Sequence, residues 1–177
     1  MTQGQLHRNT PMPIELRKWI LYKSMTSDNR IIHIHSACTE NSASELAHLL
    51  EYKIFDVNCR SIFSIGRSLG SRGFGMTPLM TAAAHNTDPD VISLLIRNGA
   101  RIHDRDNDGT SALFHAIISN PKPNPILRSL IQNGAQSNET HPMFGNAYKA
   151  LERRYQDEDI WKTIDRDVLE KIYDATH

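Results

Sequence analysis

The sequence predicts an all-α solenoid, a stack of helix-turn-helix units joined by polar hairpins. Two near-identical words carry that expectation: Leu95-Ile96-Arg97-Asn98-Gly99-Ala100 and Leu130-Ile131-Gln132-Asn133-Gly134-Ala135 stand 35 residues apart. Between them lies a further word, Gly109-Thr110-Ser111-Ala112-Leu113. Self-similarity at such a period marks stacked supersecondary units, none of which can bury its apolar face alone. Length agrees, since 177 residues suffice for one continuous core and not for a second full domain.

In chain order, Pro13 to Ser24 holds Ile14, Leu16, Trp19, Ile20 and Leu21 and is expected to form a capping helix after an N-terminal tail, together residues 1–27. A divergent unit follows at a uniform offset of 45, with Ile34-His35-Ser36-Ala37-Cys38 falling on Leu79 to Ala83 and Leu49-Leu50 on Leu94-Leu95. That offset exceeds the period of the later units, so an enlarged hairpin loop is expected over 59–74.

The next unit opens with Gly75-Met76-Thr77-Pro78-Leu79-Met80-Thr81-Ala82-Ala83. Gly75 permits a positive φ, Thr77 can cap a helix, Pro78 suits its first turn, and the alanines let neighbouring helices approach closely. Val91, Leu94 and Leu95 form the stripe of a second helix, ended by Gly99 in a left-handed cap. In the following unit Ser111 is the cap. Asn120 to Pro125, with three prolines, is expected to be the turn before a helix carrying Ile126, Leu127, Leu130 and Ile131. The last segment, 144–177, is highly charged, with Ile160, Trp161, Ile164, Val168, Leu169 and Ile172 as a helical stripe, as suits a terminal unit with a polar outer face.

The Gly-x-Thr-Pro-Leu-x-x-Ala-Ala word at Gly75 to Ala83 resembles the opening of an ankyrin repeat, and Gly109 to Ala116 is a variant of it. Met80 and Phe114 stand where the family usually has His, which the first unit retains as His35. The resemblance implies an ankyrin-repeat solenoid of about four repeats, two clear and two divergent, with three of them over 28–143. It also implies a protein-binding module, adaptor, inhibitor or targeting protein, and not an enzyme.

Candidate binding residues come from two sources. From Val57 to Thr87 there is no acidic residue, and Arg60, Arg67 and Arg72 stand among Ile62, Phe63 and Phe74, a basic and apolar finger suited to an acidic or phosphorylated partner. By resemblance, hairpin tips and exposed inner-helix positions line a concave side. Phe74, Met76, His85, Asp108, Thr110, His115 and Ser119 fall there.

Other functions find little support. Lys plus Arg equal Asp plus Glu, which gives no global drive toward nucleic acid or an anionic membrane, although nine basic and six acidic residues precede position 88 and eleven and fourteen follow. Cys38 and Cys59 lack the paired spacing of a zinc module, and a reducing, cytoplasmic setting is expected. Gly66 to Gly75 is followed by no Gly-Lys-Ser/Thr, and Asp104 to Asp108 lacks the closing acid of a calcium loop. The expectation is a monomer without cofactor or metal. An effector-type ankyrin protein acting in a host cytosol, or a His-based enzyme on a helical scaffold, are the alternatives.

Overall fold

The computed structural model describes residues 12–39, 43–62, 75–155 and 164–175. Nine helices occur among them: α1 (Ile14–Ser24), α2 (Ser27–Thr39), α3 (Ala43–Glu51), α4 (Pro78–His85), α5 (Pro89–Arg97), α6 (Ala112–Ser119), α7 (Pro123–Gln132), α8 (Ala147–Arg154) and α9 (Arg166–Asp174). From α2 onward they form four antiparallel pairs. The first members, α2, α4, α6 and α8, pack successively as an inner row, and α3, α5, α7 and α9 stack as an outer row. The only ladder among the described residues is a short antiparallel hairpin, β1 (Thr140–His141) with β2 (Gly145–Asn146).

Small side chains make the inner row possible. Ala82, Ala83 and Ala84 of α4, Ala112 and Ala116 of α6, and Ala147 and Ala150 of α8 are all buried, so adjacent helices meet nearly backbone to backbone. Leu79, Leu113, Ile117 and Leu151 fill the space that remains, and Val91, Leu95, Ile126 and Leu130 close the core from the outer row. Helix starts are capped as the sequence requires. Thr77 Oγ1 accepts from Met80 N–H, Ser111 Oγ from Phe114 N–H, and Asn146 Oδ1 from Lys149 N–H.

The repeated Leu-Ile-x-Asn-Gly-Ala word is a helix stop. Gly99 (φ 92°) and Gly134 (φ 97°) adopt the left-handed conformation. Ala100 N–H donates to Leu95 O at 3.0 Å and Gly99 N–H to Ile96 O at 2.9 Å; Ala135 and Gly134 repeat this with Leu130 and Ile131. That is the Schellman pattern, which satisfies carbonyls a helix end would leave orphaned. After α3 the left-handed residue is Lys53 (φ 52°), a position where a side chain costs energy.

Several expectations change. The turn after α6 is only Asn120 to Lys122, because Pro123 is the first residue of α7 and Pro125 lies in the same first turn, where no intrahelical N–H is required. Helix α1 forms where expected but buries none of its side chains fully. In the last unit Ile164, Val168 and Ile172 are buried and Leu169 partly so, while Ile160 and Trp161 lie outside the described residues. The enlarged hairpin closes at its base: Ser61 N–H donates to Met76 O at 2.9 Å and Gly75 N–H to Ser61 O at 3.1 Å. Its residues 63–74 lie outside the described residues.

Candidate functional site: a row of hairpins over an inner-helix groove

Each hairpin is tied to the next by an arginine. Arg60 Nη1 donates to Gly75 O (2.8 Å) and across to Arg105 O (2.7 Å), and its Nη2 stands 3.6 Å from Asp104 Oδ2. Arg105 repeats the device one unit on, donating to Gly109 O, Thr140 O and Glu139 Oε2. Arg60 is therefore a staple between hairpins, with its guanidinium already satisfied, and is not the free cation that the sequence suggests. Arg67, Arg72, Phe63 and Phe74 lie outside the described residues.

Three of the expected groove positions are turned inward. Met76 is buried in the core, its N–H held by Ser61 Oγ. Thr110 is buried, its N–H donated to Asp106 Oδ1 and its hydroxyl paired with His141 Nε2 at 3.1 Å. His115 is buried, with Nε2 2.8 Å from Asp106 Oδ2. Asp106 thus gathers His115, Thr110 N–H and Asp108 N–H on one carboxylate. Burial alone would raise its pKa, but the hydrogen bonds from His115 and the backbone outweigh burial and hold it below the ordinary Asp value. Physically, these three side chains build the hairpin instead of meeting a partner. His85 is half-buried, and Asp108 and Ser119 are exposed.

Two further histidines, His141 and His35, are fixed by structural hydrogen bonds. Met143 N–H donates to His141 Nδ1, so in the neutral ring the proton sits on Nε2, which must donate to Thr110. Such a ring cannot take a proton from the threonine. His35, 2% exposed, pairs Nδ1 with Thr81 Oγ1 at 2.7 Å, and burial lowers its pKa to about 4 despite a contact with the Cys59 backbone that raises it. It is neutral and structural. No group of three metal-ligating side chains occurs among the described residues.

What sequence reasoning passed over is a cleft of about 330 Å³ at the first unit, lined by Ile31, Ile32, His35, Ser36, Thr39, Ser61 and Ile62. Five of these lie on one face of α2, and Ser61 and Ile62 come from the base of the enlarged hairpin. Ile32 is 48% exposed and Ile62 39%, unusual for isoleucine on a groove wall. The signal was available: Ile32 falls at the inner-helix position taken by Thr77 in the next unit, where no large apolar side chain is needed.

The matched sequence family is ankyrin repeats, in three copies over residues 34–141, more than half of the chain. The chain belongs to the ankyrin repeat family. In this ankyrin protein the fourth helix pair, α8 and α9, extends beyond the matched copies. Solved structures share the architecture. One is from the complex of the Bd0816 predatory endopeptidase of Bdellovibrio bacteriovorus with immunity protein Bd3460, at 17% identity and TM-score 0.58, covering 80% of this chain and 62% of that one. Another is the ankyrin repeat domain of Bcl-3, of the IkappaB protein family, at 21% identity and TM-score 0.56, covering 79% and 50%. The ankyrin chain thus spans 62% and 50% of these neighbours' length, under two thirds of each, and the likeness is one of fold. No curated protein matches it. Among the described residues no helix is long and apolar enough to cross a membrane.

Proposed function

We propose that this ankyrin protein is a protein-binding module, an adaptor, inhibitor or targeting protein, that takes a partner segment along its concave side with one apolar side chain seated in the cleft at α2. The observation that carries this reading is the cleft itself, walled by Ile31, Ile32 and Ile62 and opening beside the row of stapled hairpins. A buried aliphatic or aromatic anchor supplies most of the energy in such interfaces. His85, Asp108 and Ser119 supply polar contacts further along the groove. Besides the stapled Arg60, the acid-free run from 57 to 87 carries Arg67 and Arg72, so the partner meets that end with carboxylate or phosphate. One structural neighbour comes from a complex of an endopeptidase with an immunity protein, a protein–protein setting that accords with this role. The protein acts as a monomer in the cytoplasm, without cofactor or catalysis.

The test is affinity capture with the intact chain beside Ile32→Asp and Ile62→Asp, each exposed enough to leave the fold intact. Proteins bound by the native chain should be lost from both variants while circular dichroism is unchanged. Equal capture by all three would refute the cleft as the anchor site.

A further inference from the structure

Exposed apolar surface is distributed unevenly. Among the described residues nine large apolar side chains are exposed: Met12, Ile14, Leu16, Ile20, Leu21, Ile32 and Ile62 belong to the first 62 residues, and Met143 and Tyr173 lie beyond. Four belong to α1, with Ile14 69% and Leu21 56% exposed. A terminal unit of a solenoid normally turns a polar face outward. This one does the opposite.

The geometry of α1 explains how. Its inward side is held by Tyr22, whose ring packs 5.2 Å from His33, 5.6 Å from Tyr52 and 5.5 Å from Phe55, and by Glu15, which accepts from the Tyr52 hydroxyl. At 100° per residue, Leu16 and Ile20 then form one outer ridge and Ile14, Arg17 and Leu21 the next. Lys18 faces Glu15 at 3.8 Å, and Lys23 lies over the Trp19 ring at 4.5 Å. Among the described residues the Arg17 side chain has no such partner. A guanidinium therefore stands in the middle of an aliphatic face at the end of the stack, away from the groove.

We infer that the outer face of α1 is a second docking surface, and that its partner is an amphipathic helix bearing aliphatic side chains around a central Asp or Glu. Arg17 selects this occupant. A second copy of the chain, paired through α1 about a two-fold axis, would set Arg17 against the Arg17 or Lys18 of its mate, a like-charge contact inside an apolar patch. The preceding residues 1–11 carry only Met1 and Leu6 as large apolar side chains and no acid. An acidic helix meets both requirements, with its leucines on the two ridges and its carboxylate bidentate on the guanidinium.

The probe is a pair of synthetic helical peptides of about 16 residues, sharing one leucine stripe and differing only in the residue flanked by leucines, Glu or Lys. By fluorescence anisotropy the Glu peptide should bind the full chain at least about tenfold more tightly than the Lys peptide. Arg17→Glu should invert the preference, Arg17→Gln should abolish it while retaining weak binding of both, and Leu21→Asp should remove both. The groove variant Ile32→Asp should bind as the native chain does. The inference is overturned if the two peptides bind alike, if the preference survives Arg17→Glu, or if sedimentation shows a dimer that Leu21→Asp dissolves.

Discussion

Replacing Asn120 by Ala should destabilise the stack severely, because one amide joins the ends of two neighbouring inner helices, α4 and α6. Asn120 is fully buried, and its Nδ2 donates to Ala83 O at 2.8 Å and to Asn86 O at 2.7 Å, while its Oδ1 accepts from Lys122 N–H. Ala83 and Asn86 are buried as well, so neither carbonyl regains a donor from water. Leaving a buried polar group unsatisfied costs about 1–3 kcal/mol, so two such carbonyls give about 2–6 kcal/mol in all. For a chain of this size the middle of that range, about 4 kcal/mol, is a fall in Tm of about 8–16 °C. Lys122 is exposed and its N–H can turn to solvent, so it adds little. Asn120→Asp keeps the acceptor for Lys122 but sets a carboxylate against two carbonyls, and should be less stable than the alanine variant. Urea titration followed by circular dichroism measures all three, with the exposed Asn138→Ala as control. A loss below about 1 kcal/mol, or an aspartate variant as stable as alanine, would refute the account of Asn120 as the tie between repeats.

Three further outcomes follow from local geometry. Gly99→Val should lower stability by about 1–3 kcal/mol, because φ is 92° although no atom crowds the added Cβ; unchanged denaturant midpoints would contradict a left-handed cap. Lys53→Gly should raise stability by about 1 kcal/mol by relieving the left-handed lysine, as read by the same titration. Burial lowers the His35 pKa from 6.5 to about 4, so its contribution is complete above pH 6.5 and is lost as pH falls through 4. That difference makes His35 worth on the order of 3 kcal/mol at neutral pH. Unfolding free energies measured from pH 7 to 4 should show that slope in the native chain and lose it in His35→Gln.

The repeats were legible because helix caps and close packing are local: Gly99, Gly134, Thr77, Ser111 and the alanine runs announce themselves in type and spacing, and the fold they imply is the fold observed. The site was less legible. Arg60 reads as a free cation in an acid-poor stretch, yet its partners Arg105 and Asp104 come from the next repeat, over 40 residues away. The pairing of Arg60 with Arg105 at the same 45-residue offset was a usable signal. Met76 and His115 sit at positions that face the groove in pattern, but their burial depends on Ser61 and Asp106, which only the folded hairpins bring near. The apolar residues of α1 suggest a capping helix, whereas Tyr22 and Glu15 set its docking angle and leave the aliphatics outward.

The arginine staples also determine how the row of hairpins yields under load. Arg60 and Arg105 both reach toward the C-terminal neighbour, so the hairpin tips are linked like teeth of a comb braced in one direction. A ligand that prises one tooth aside must break charge-assisted bonds on the tooth beside it, each worth about 1.5–3 kcal/mol. The row therefore bends as a unit, and stiffness is passed from one hairpin to the next.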